Sequence, residues 1–226
     1  MAEPKNNKFA TLSDKVMHQI RHDILSGELE AGQKLVLSEL KGKYQVGGSP
    51  LREAMVQLSW QKYVVMKPQK GFWVADVSLN ELRDILKVRQ AISNMALKDA
   101  IENGTEEWEL AILTAYHKLS RIDLDDPNFD LDDWEIRHKQ FHLSLVASQG
   151  SSFVSDLLEY VYDQQERYRH FFLNHEFAPE QQYHDNGEHE AIMKAVLARD
   201  TELACKLVNQ HTERLYQITE TLLENE

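Results

Sequence analysis

The chain has 226 residues, of which 42% are hydrophobic and 27% are charged, a composition that excludes a disordered or collagen-like protein. Its net charge of −12 would argue against a nucleic-acid partner if the charge were evenly spread. Residues 1–76, however, carry 11 lysines and arginines against 8 acidic residues, whereas residues 77–226 carry 14 against 29. We therefore expect two domains, 1–76 and 77–226, with different partners.

The first domain begins with three predicted helices. Apolar residues at helical spacing predict a helix over residues 12–26, which Gly27 would end. A short helical segment starts at Ser38. The third helix is predicted to run from Ser49 to about residue 61, with Ser49 as its N-cap and Pro50 at its first position.

A hairpin is predicted after these helices. Two β-branched or aromatic runs, 63–66 and 72–75, flank the basic segment Lys67-Pro-Gln-Lys-Gly71. Three helices followed by a basic hairpin are typical of a winged helix-turn-helix. In that fold the helix at Ser49 would enter the DNA major groove, and the 67–71 loop would lie along the backbone or minor groove. The pattern alone also fits an unrelated α+β module.

The second domain shows no strand pattern. Ser78-Leu-Asn-Glu81 is a capping box that begins one helix, and Thr105 caps the next. Four further helices are predicted: one through Trp134 to Leu145, and others over about 152–174, 179–199 and 200–224. The fold class is therefore mainly α, with an N-terminal winged helix-turn-helix and a C-terminal all-α six-helix bundle.

Four histidines of the second domain form a candidate metal site. His138 and His142 are four residues apart and so share one helix face. His189 and His211 each lie 11 residues from Asp200, the expected turn between the last two helices. In an antiparallel helix pair that spacing places both at the same height, about 16 Å from the turn.

Four imidazoles from three helices would suit zinc, nickel or another borderline divalent ion. The alternative is that these histidines are simply hydrogen-bonded or exposed, as most histidines are. A zinc peptidase is disfavoured, because Lys139 stands where the catalytic glutamate should follow the first histidine. The chain has no P-loop, dinucleotide fingerprint or Gly-x-Ser-x-Gly motif, so we do not expect an enzyme.

We expect a cytoplasmic protein. Cys205 is the single cysteine and cannot form an internal disulfide. The amino-terminal residues lack the apolar core of a signal peptide, and no segment is apolar enough to predict a membrane span.

Several segments resemble the GntR superfamily of regulators. Val46-Gly-Gly-Ser-Pro-Leu-Arg-Glu-Ala54 is similar to its recognition-helix signature, and Lys70-Gly71 is similar to its wing tip. The second domain resembles the FCD effector domain of the FadR subfamily, through Arg89, Phe141-His142 and the pair formed by His189 and His211. Six helices point to the VanR-like variant, and the 134–142 segment is most similar to CsiR-type regulators.

The resemblance implies a homodimer that binds double-stranded operator DNA and responds to a small carboxylate metabolite. It implies a divalent metal, zinc or nickel, on His138, His142, His189 and His211, with Arg89 and Arg137 as charge partners of the carboxylate. The implied DNA-binding residues lie in the second helix, the recognition helix and the wing; they are Ser38, Gly48, Ser49, Pro50, Arg52, Lys67, Lys70 and Gly71.

Three departures from the family pattern involve four positions. Gly47 and Gly48 stand where the family usually has serine and a DNA-contacting arginine, so Arg52 must carry more of the base contacts. His138 stands where an aspartate usually binds the metal, and Ser93 replaces a common glutamate. The expected function is a transcriptional regulator, with repression the commoner outcome in the family. The alternatives are a regulator for which the ion itself is the signal and, with less support, a metal-dependent enzyme.

Overall fold

The computed structural model describes residues 11–123, 126, 129–147, 152–173 and 187–225. The chain divides into two compact units, 1–77 and 78–226, one residue later than the expected boundary. The elements of the first unit are α1 (Leu12–Leu25), β1 (Lys34–Leu35), α2 (Leu37–Tyr44), α3 (Gly48–Trp60), β2 (Val64–Lys67) and β3 (Gly71–Val74).

Helix α1 is defined by a capping box and an apolar face. The Thr11 hydroxyl accepts a hydrogen bond from the Asp14 amide at 3.1 Å, and the Asp14 carboxylate accepts one from the Thr11 amide at 3.0 Å. Val16 and Ile20 are fully buried against the core that α3 shares. The helix ends at Leu25, and Gly27 follows with φ of 80°, a left-handed conformation that favours glycine.

The predicted hairpin forms, and a third strand joins it. β2 and β3 pair antiparallel, with Val64 opposite Val74, and the two-residue strand β1 pairs with the other edge of β3. Strand β1 was not predicted, because two residues are too few to show an alternating pattern. The sheet order is β1-β3-β2, the expected architecture of a winged helix-turn-helix.

Helix α3 starts two residues earlier than predicted. The N-cap is Gly47 rather than Ser49, so Pro50 is the third helical residue instead of the first. Pro50 is accepted there because the first backbone bond of the helix comes from the next residue, Leu51, to the Gly47 carbonyl. The missing proline amide would have had no helical partner in either register.

The second unit is helical throughout its described part. Its helices are α4 (Leu79–Asn103), α5 (Glu106–Leu119), α6 (Leu131–Val146), α7 (Ser152–Leu173), α8 (Glu188–Leu197) and α9 (Thr201–Asn225). They confirm the predicted six-helix domain. The predicted start of the fifth helix at Pro179 lies outside the described residues. Within the ranges that are described, no helix is long and apolar enough to cross a membrane.

The first turn of α4 is held by α7. The Glu81 amide donates to the Ser78 hydroxyl at 3.4 Å, which forms half of the predicted capping box. The Glu81 carboxylate instead accepts hydrogen bonds from Tyr168 at 2.6 Å and Arg167 at 2.8 Å. Tyr168 is fully buried and also donates to the Ser78 carbonyl. Side chains of α7 therefore fix the beginning of the second unit.

The core of this unit is formed in large part by α6 and the antiparallel pair α8 and α9. Phe141 and Ile192 lie in one buried cluster, and the Trp108 indole donates to the Ser144 carbonyl at 3.0 Å. Asp200 caps α9 as predicted, since its carboxylate accepts the Leu203 amide at 3.0 Å. This packing brings the inner faces of α6, α8 and α9 together.

Candidate metal site and nucleic-acid interface

The structure brings the four predicted histidines together. His138 and His142 lie on α6, His189 on α8 and His211 on α9, and all four are buried. One ring nitrogen from each lies within 4.8 Å of the same atom of the other three. The equal spacing of His189 and His211 from Asp200 does place them side by side, with ring centroids 4.6 Å apart.

The geometry of the cluster fits a metal ion. The Nε2 atom of His142 lies 3.1 Å from Nε2 of His138 and 3.1 Å from Nε2 of His211. Nitrogens bound to one tetrahedral zinc ion at about 2.0–2.1 Å would be about 3.3 Å apart. The Nδ1 atoms of His138 and His142 have no hydrogen-bond partner in the described part of the chain, so the Nε2 atoms that face each other are the polar contacts of these two rings, and a metal bound there would replace those contacts.

The cluster is electrically suited to a cation. Burial, reinforced by neighbouring positive groups, holds the pKa of His138 and of His142 well below the usual range. Burial also lowers the pKa of His211 to about 4, against the opposing effect of Glu188. Neutral imidazoles have the lone pairs that a metal requires.

A carboxylate orients one of the histidines. Oε2 of Glu188 lies 2.8 Å from Nδ1 of His211, and Oε1 accepts a hydrogen bond from Arg214 at 2.5 Å. Burial opposes ionisation of Glu188, but its bonds to His211 and Arg214 outweigh burial and lower the pKa of the carboxyl. Such a carboxylate behind a histidine is the usual support of a metal ligand.

A small cavity opens beside the cluster. Two of the histidines and two arginines line it together with apolar side chains of α6 and α9. The lining residues are Arg89, Trp134, His138, Arg169, His211, Leu215 and Ile218. The cavity thus has metal-binding groups, guanidinium groups and apolar wall in one place.

The structure places Arg89, a predicted effector contact, at this cavity. Its side chain is buried and lines the cavity, with NH1 donating to Gln165 at 2.5 Å and NH2 donating to the Tyr162 hydroxyl at 2.7 Å. Its guanidinium also stacks on the Tyr162 ring, 4.1 Å from the centroid. These contacts hold the guanidinium rigidly at the cavity wall.

Arg137 does not lie in the cavity. It binds the Asp133 carboxylate at 2.6 Å and donates to the Lys118 carbonyl at 2.9 Å, at the outer side of α6. The structure therefore does not bring Arg137 together with Arg89 at the cavity, and it gives no support to the predicted effector contact.

Arg169 is the second arginine of the cavity, and it was not predicted from the sequence. Its Nε and NH2 bind the two oxygens of the Glu135 carboxylate at 2.7 and 2.8 Å, and both side chains are buried. NH1 of Arg169 is buried without a hydrogen-bond partner among the described residues. On α7, Tyr162, Gln165 and Arg169 share one face, and this inward polar stripe was the available signal.

The residues implied in DNA binding lie on three features of the first unit: helix α2, helix α3 and the wing. Ser38 is exposed in α2, and Ser49 and Arg52 are exposed in the first turns of α3, where Gly48 and Pro50 are half-buried. The exposed wing residues Lys67, Lys70 and Gly71 lie at the turn between β2 and β3, and the Lys67 ammonium lies 4.7 Å from the centroid of the Trp73 ring.

Comparison with known proteins assigns both units. Residues 12–74 match the family model of bacterial regulatory proteins of the gntR family, and residues 84–214 match that of the FCD domain. The transcriptional repressor GlaR of Escherichia coli is 36% identical over 85% of this chain and 88% of its own length. The regulator BphR of Paraburkholderia xenovorans is 34% identical over 90% of this chain and 83% of its own.

A solved structure supports the fold. The chain of Escherichia coli McbR/YncC matches over 95% of this chain and all of its own length, with a TM-score of 0.72 and 18% identity. The winged helix-turn-helix, the six-helix domain and both family matches agree. The chain belongs to the GntR family of DNA-binding transcriptional regulators and has an FCD domain as its second unit.

Proposed function

We propose that the protein is a homodimeric repressor that binds a divalent metal, zinc or nickel, at the four histidines. A small carboxylate metabolite binds beside the metal and lowers the affinity for operator DNA. The observation that carries this proposal is the convergence of the histidine cluster with Arg89 and Arg169 on one cavity. Repression is supported by GlaR, which is described as a transcriptional repressor.

The metal, when bound, supplies a Lewis-acidic centre that accepts an anionic oxygen. His138, His142, His189 and His211 would hold it, and all four are neutral ligands, so the charge of the ion is not reduced by a ligand carboxylate. A carboxylate metabolite therefore has a strong electrostatic reason to bind there.

The two arginines would donate hydrogen bonds to the metabolite. Arg89 is fixed by Tyr162 and Gln165, and Arg169 is fixed by Glu135 through two of its nitrogens, which leaves NH1 to donate to a ligand. A buried donor without a partner costs about 1–3 kcal/mol, so a ligand oxygen at NH1 would be favoured. Leu215 and Ile218 supply an apolar wall for the carbon skeleton.

Regulation follows from linkage. If the metabolite favours one arrangement of the second unit and DNA favours another, each ligand lowers the affinity for the other by the same factor. A dimer binds two half-sites and so makes operator affinity sensitive to the arrangement of the pair.

The test is a titration of operator duplex, selected from a random-sequence library, with stripped, zinc-loaded and nickel-loaded protein. Each form is measured with and without mono- and dicarboxylates of two to six carbons. We expect at least one acid to lower DNA affinity only when metal is bound. Arg169→Lys, which keeps the charge opposite Glu135 but removes the forked donor, should weaken that acid at least fivefold.

Lys118→Arg, a matched exchange between the same two residue types on the exposed side of α5, should leave the acid response unchanged. A change of DNA affinity with metal alone, and none with any acid, would favour the ion as the signal. Turnover of an acid by the metal-loaded protein would favour an enzyme. Either result would contradict the proposed carboxylate response.

A further inference from the structure

The first turn of the recognition helix α3 is poor in side chains. Gly47 is the N-cap and Gly48 the first helical residue, and neither can donate a side-chain hydrogen bond to DNA. Ser49 and Arg52 are the exposed polar side chains of the turn. A DNA-binding unit with a charge balance of only +3 has few cations to use at this position.

A lysine of the preceding helix lies where a side chain at position 48 would be. A Cβ atom built on Gly48 would lie 3.1 Å from both Cε and Nζ of Lys41. That separation is shorter than ordinary van der Waals contact, so a larger residue at position 48 would displace the end of the lysine. The Lys41 ammonium therefore lies against the backbone of Gly48 at the start of α3, and a methyl group there would shift it by a few tenths of an ångström.

The neighbouring lysine of α2 shows the contrast. Lys43 binds Asp23 at 2.7 Å and Glu28 at 2.8 Å, so its charge is used inside the unit. Lys41 is two residues away, on the other side of the helix, and is exposed. No ion pair with it is found within the described residues, so its ammonium is available to an external acceptor.

We propose that Lys41 makes the cationic DNA contact at the start of α3 that the residue at position 48 cannot make. The acceptor is an oxygen of DNA, either a phosphate oxygen or the O6 and N7 edge of a guanine. Lys41 from α2 and Arg52 from α3 then form one basic surface at the N-terminal end of the recognition helix.

The experiment uses the full-length protein and an operator duplex selected by the wild type from a random-sequence library. Lys41→Ala should weaken binding about tenfold, whereas Lys206→Ala, which removes an exposed lysine from α9, should leave it unchanged. Lys41→Arg should retain binding. Because Lys41 is exposed, the melting temperature of each variant should stay close to that of the wild type.

Gly48→Ala tests the geometry. The new methyl group should weaken DNA binding when Lys41 is present and have little effect in the Lys41→Ala background, so the two changes are coupled. Gly48→Arg combined with Lys41→Ala should recover affinity, since it returns a cation to the same place.

Salt dependence and base preference distinguish the two acceptors. A phosphate contact predicts that Lys41→Ala weakens all sequences alike and makes the slope of log affinity against log salt shallower by about 1. A guanine contact predicts loss of preference at one base pair. Wild-type affinity, salt slope and base preference in Lys41→Ala, or equal effects of Gly48→Ala in both backgrounds, would overturn the proposal.

Discussion

Nδ1 of His211 and Oε2 of Glu188 lie 2.8 Å apart, and this contact determines which nitrogen of His211 faces the other histidines. Because the carboxylate accepts a hydrogen bond from Nδ1–H, Nε2 carries no proton, and its lone pair points towards Nε2 of His142, 3.1 Å away. Glu188 also begins α8, where a negative charge is favoured by the helix dipole.

Replacing Glu188 by glutamine should weaken metal binding without removing a ligand. Loss of such a supporting carboxylate typically lowers metal affinity 10–100-fold, and we expect a decrease of about that size for zinc. Competition with a chromogenic chelator measures it. Glu190→Gln is the matched control, because Glu190 lies on the same helix but pairs with Lys194 at 2.7 Å; equal losses in both variants would contradict the role assigned to Glu188.

The histidine cluster should bind about one divalent ion per chain after the protein is stripped with chelator and reloaded at neutral pH. His142→Ala combined with His189→Ala removes ligands from two helices and should abolish this binding, measured by elemental analysis after gel filtration. His117→Ala, at an exposed position of α5, is the control. Stoichiometric metal in the double variant would show that the ion binds elsewhere.

The metal-free protein should lose stability as the pH falls below about 6.5. The folded pKa values of His138, His142 and His211 are lowered, that of His211 to about 4, whereas unfolded histidines titrate near 6.5. Above about pH 6.5 these histidines are neutral in both states and do not lower the free energy of unfolding. As the pH falls from about 6.5 towards the folded pKa values, the unfolded chain binds more protons than the folded chain, so the free energy of unfolding decreases.

Between about pH 6.5 and its folded pKa, each of these histidines lowers the free energy of unfolding by up to about 1.4 kcal/mol for each pH unit of acidification. Denaturant titrations of stripped protein at pH 7.5, 6.0 and 5.0 measure the effect. His142→Asn should make the dependence shallower, since one titrating group is removed. An equally steep dependence in that variant would assign the acid sensitivity to other groups.

Arg52→Ala should abolish operator binding in a gel-shift assay. Arg52 is exposed in the first turns of α3, so its removal should change the melting temperature little. A change confined to DNA binding is the signature of a contact residue. Retained binding would contradict the assignment of α3 as the recognition helix, and a large fall in melting temperature would assign Arg52 a structural role.

Much of the fold was predictable because periodic burial shows in the sequence. The inward spacing in α1 and the caps at Ser78, Thr105 and Asp200 located helices to within a few residues. The start of α3 was placed two residues late, since a glycine N-cap makes no side-chain bond and leaves no signal stronger than the neighbouring Ser49.

The site was predictable where helix geometry determined it. Equal distances from a turn brought His189 and His211 together, whereas choosing between arginines required knowledge of orientation. Arg137 lies three positions after the inward-facing Trp134, but its side chain pairs with Asp133 outside the cavity. Arg167 and Arg169 lie on the same helix, but they pair with different carboxylates, Glu81 and Glu135. Sequence spacing on α7 groups Arg169 with Tyr162 and Gln165 on one face, but it does not say that this face, rather than the one with Arg167, lines a cavity.

Helix α7 has two successive residues with different tasks. Arg169 lies at the cavity, whereas Tyr168 holds Glu81 and the Ser78 carbonyl at the point where the second unit begins. Adjacent residues of a helix move together, so a rotation or shift of α7 at the cavity is also a displacement at the first turn of α4. An occupant of the cavity that moves α7 would therefore also move the first turn of α4, where the second unit begins.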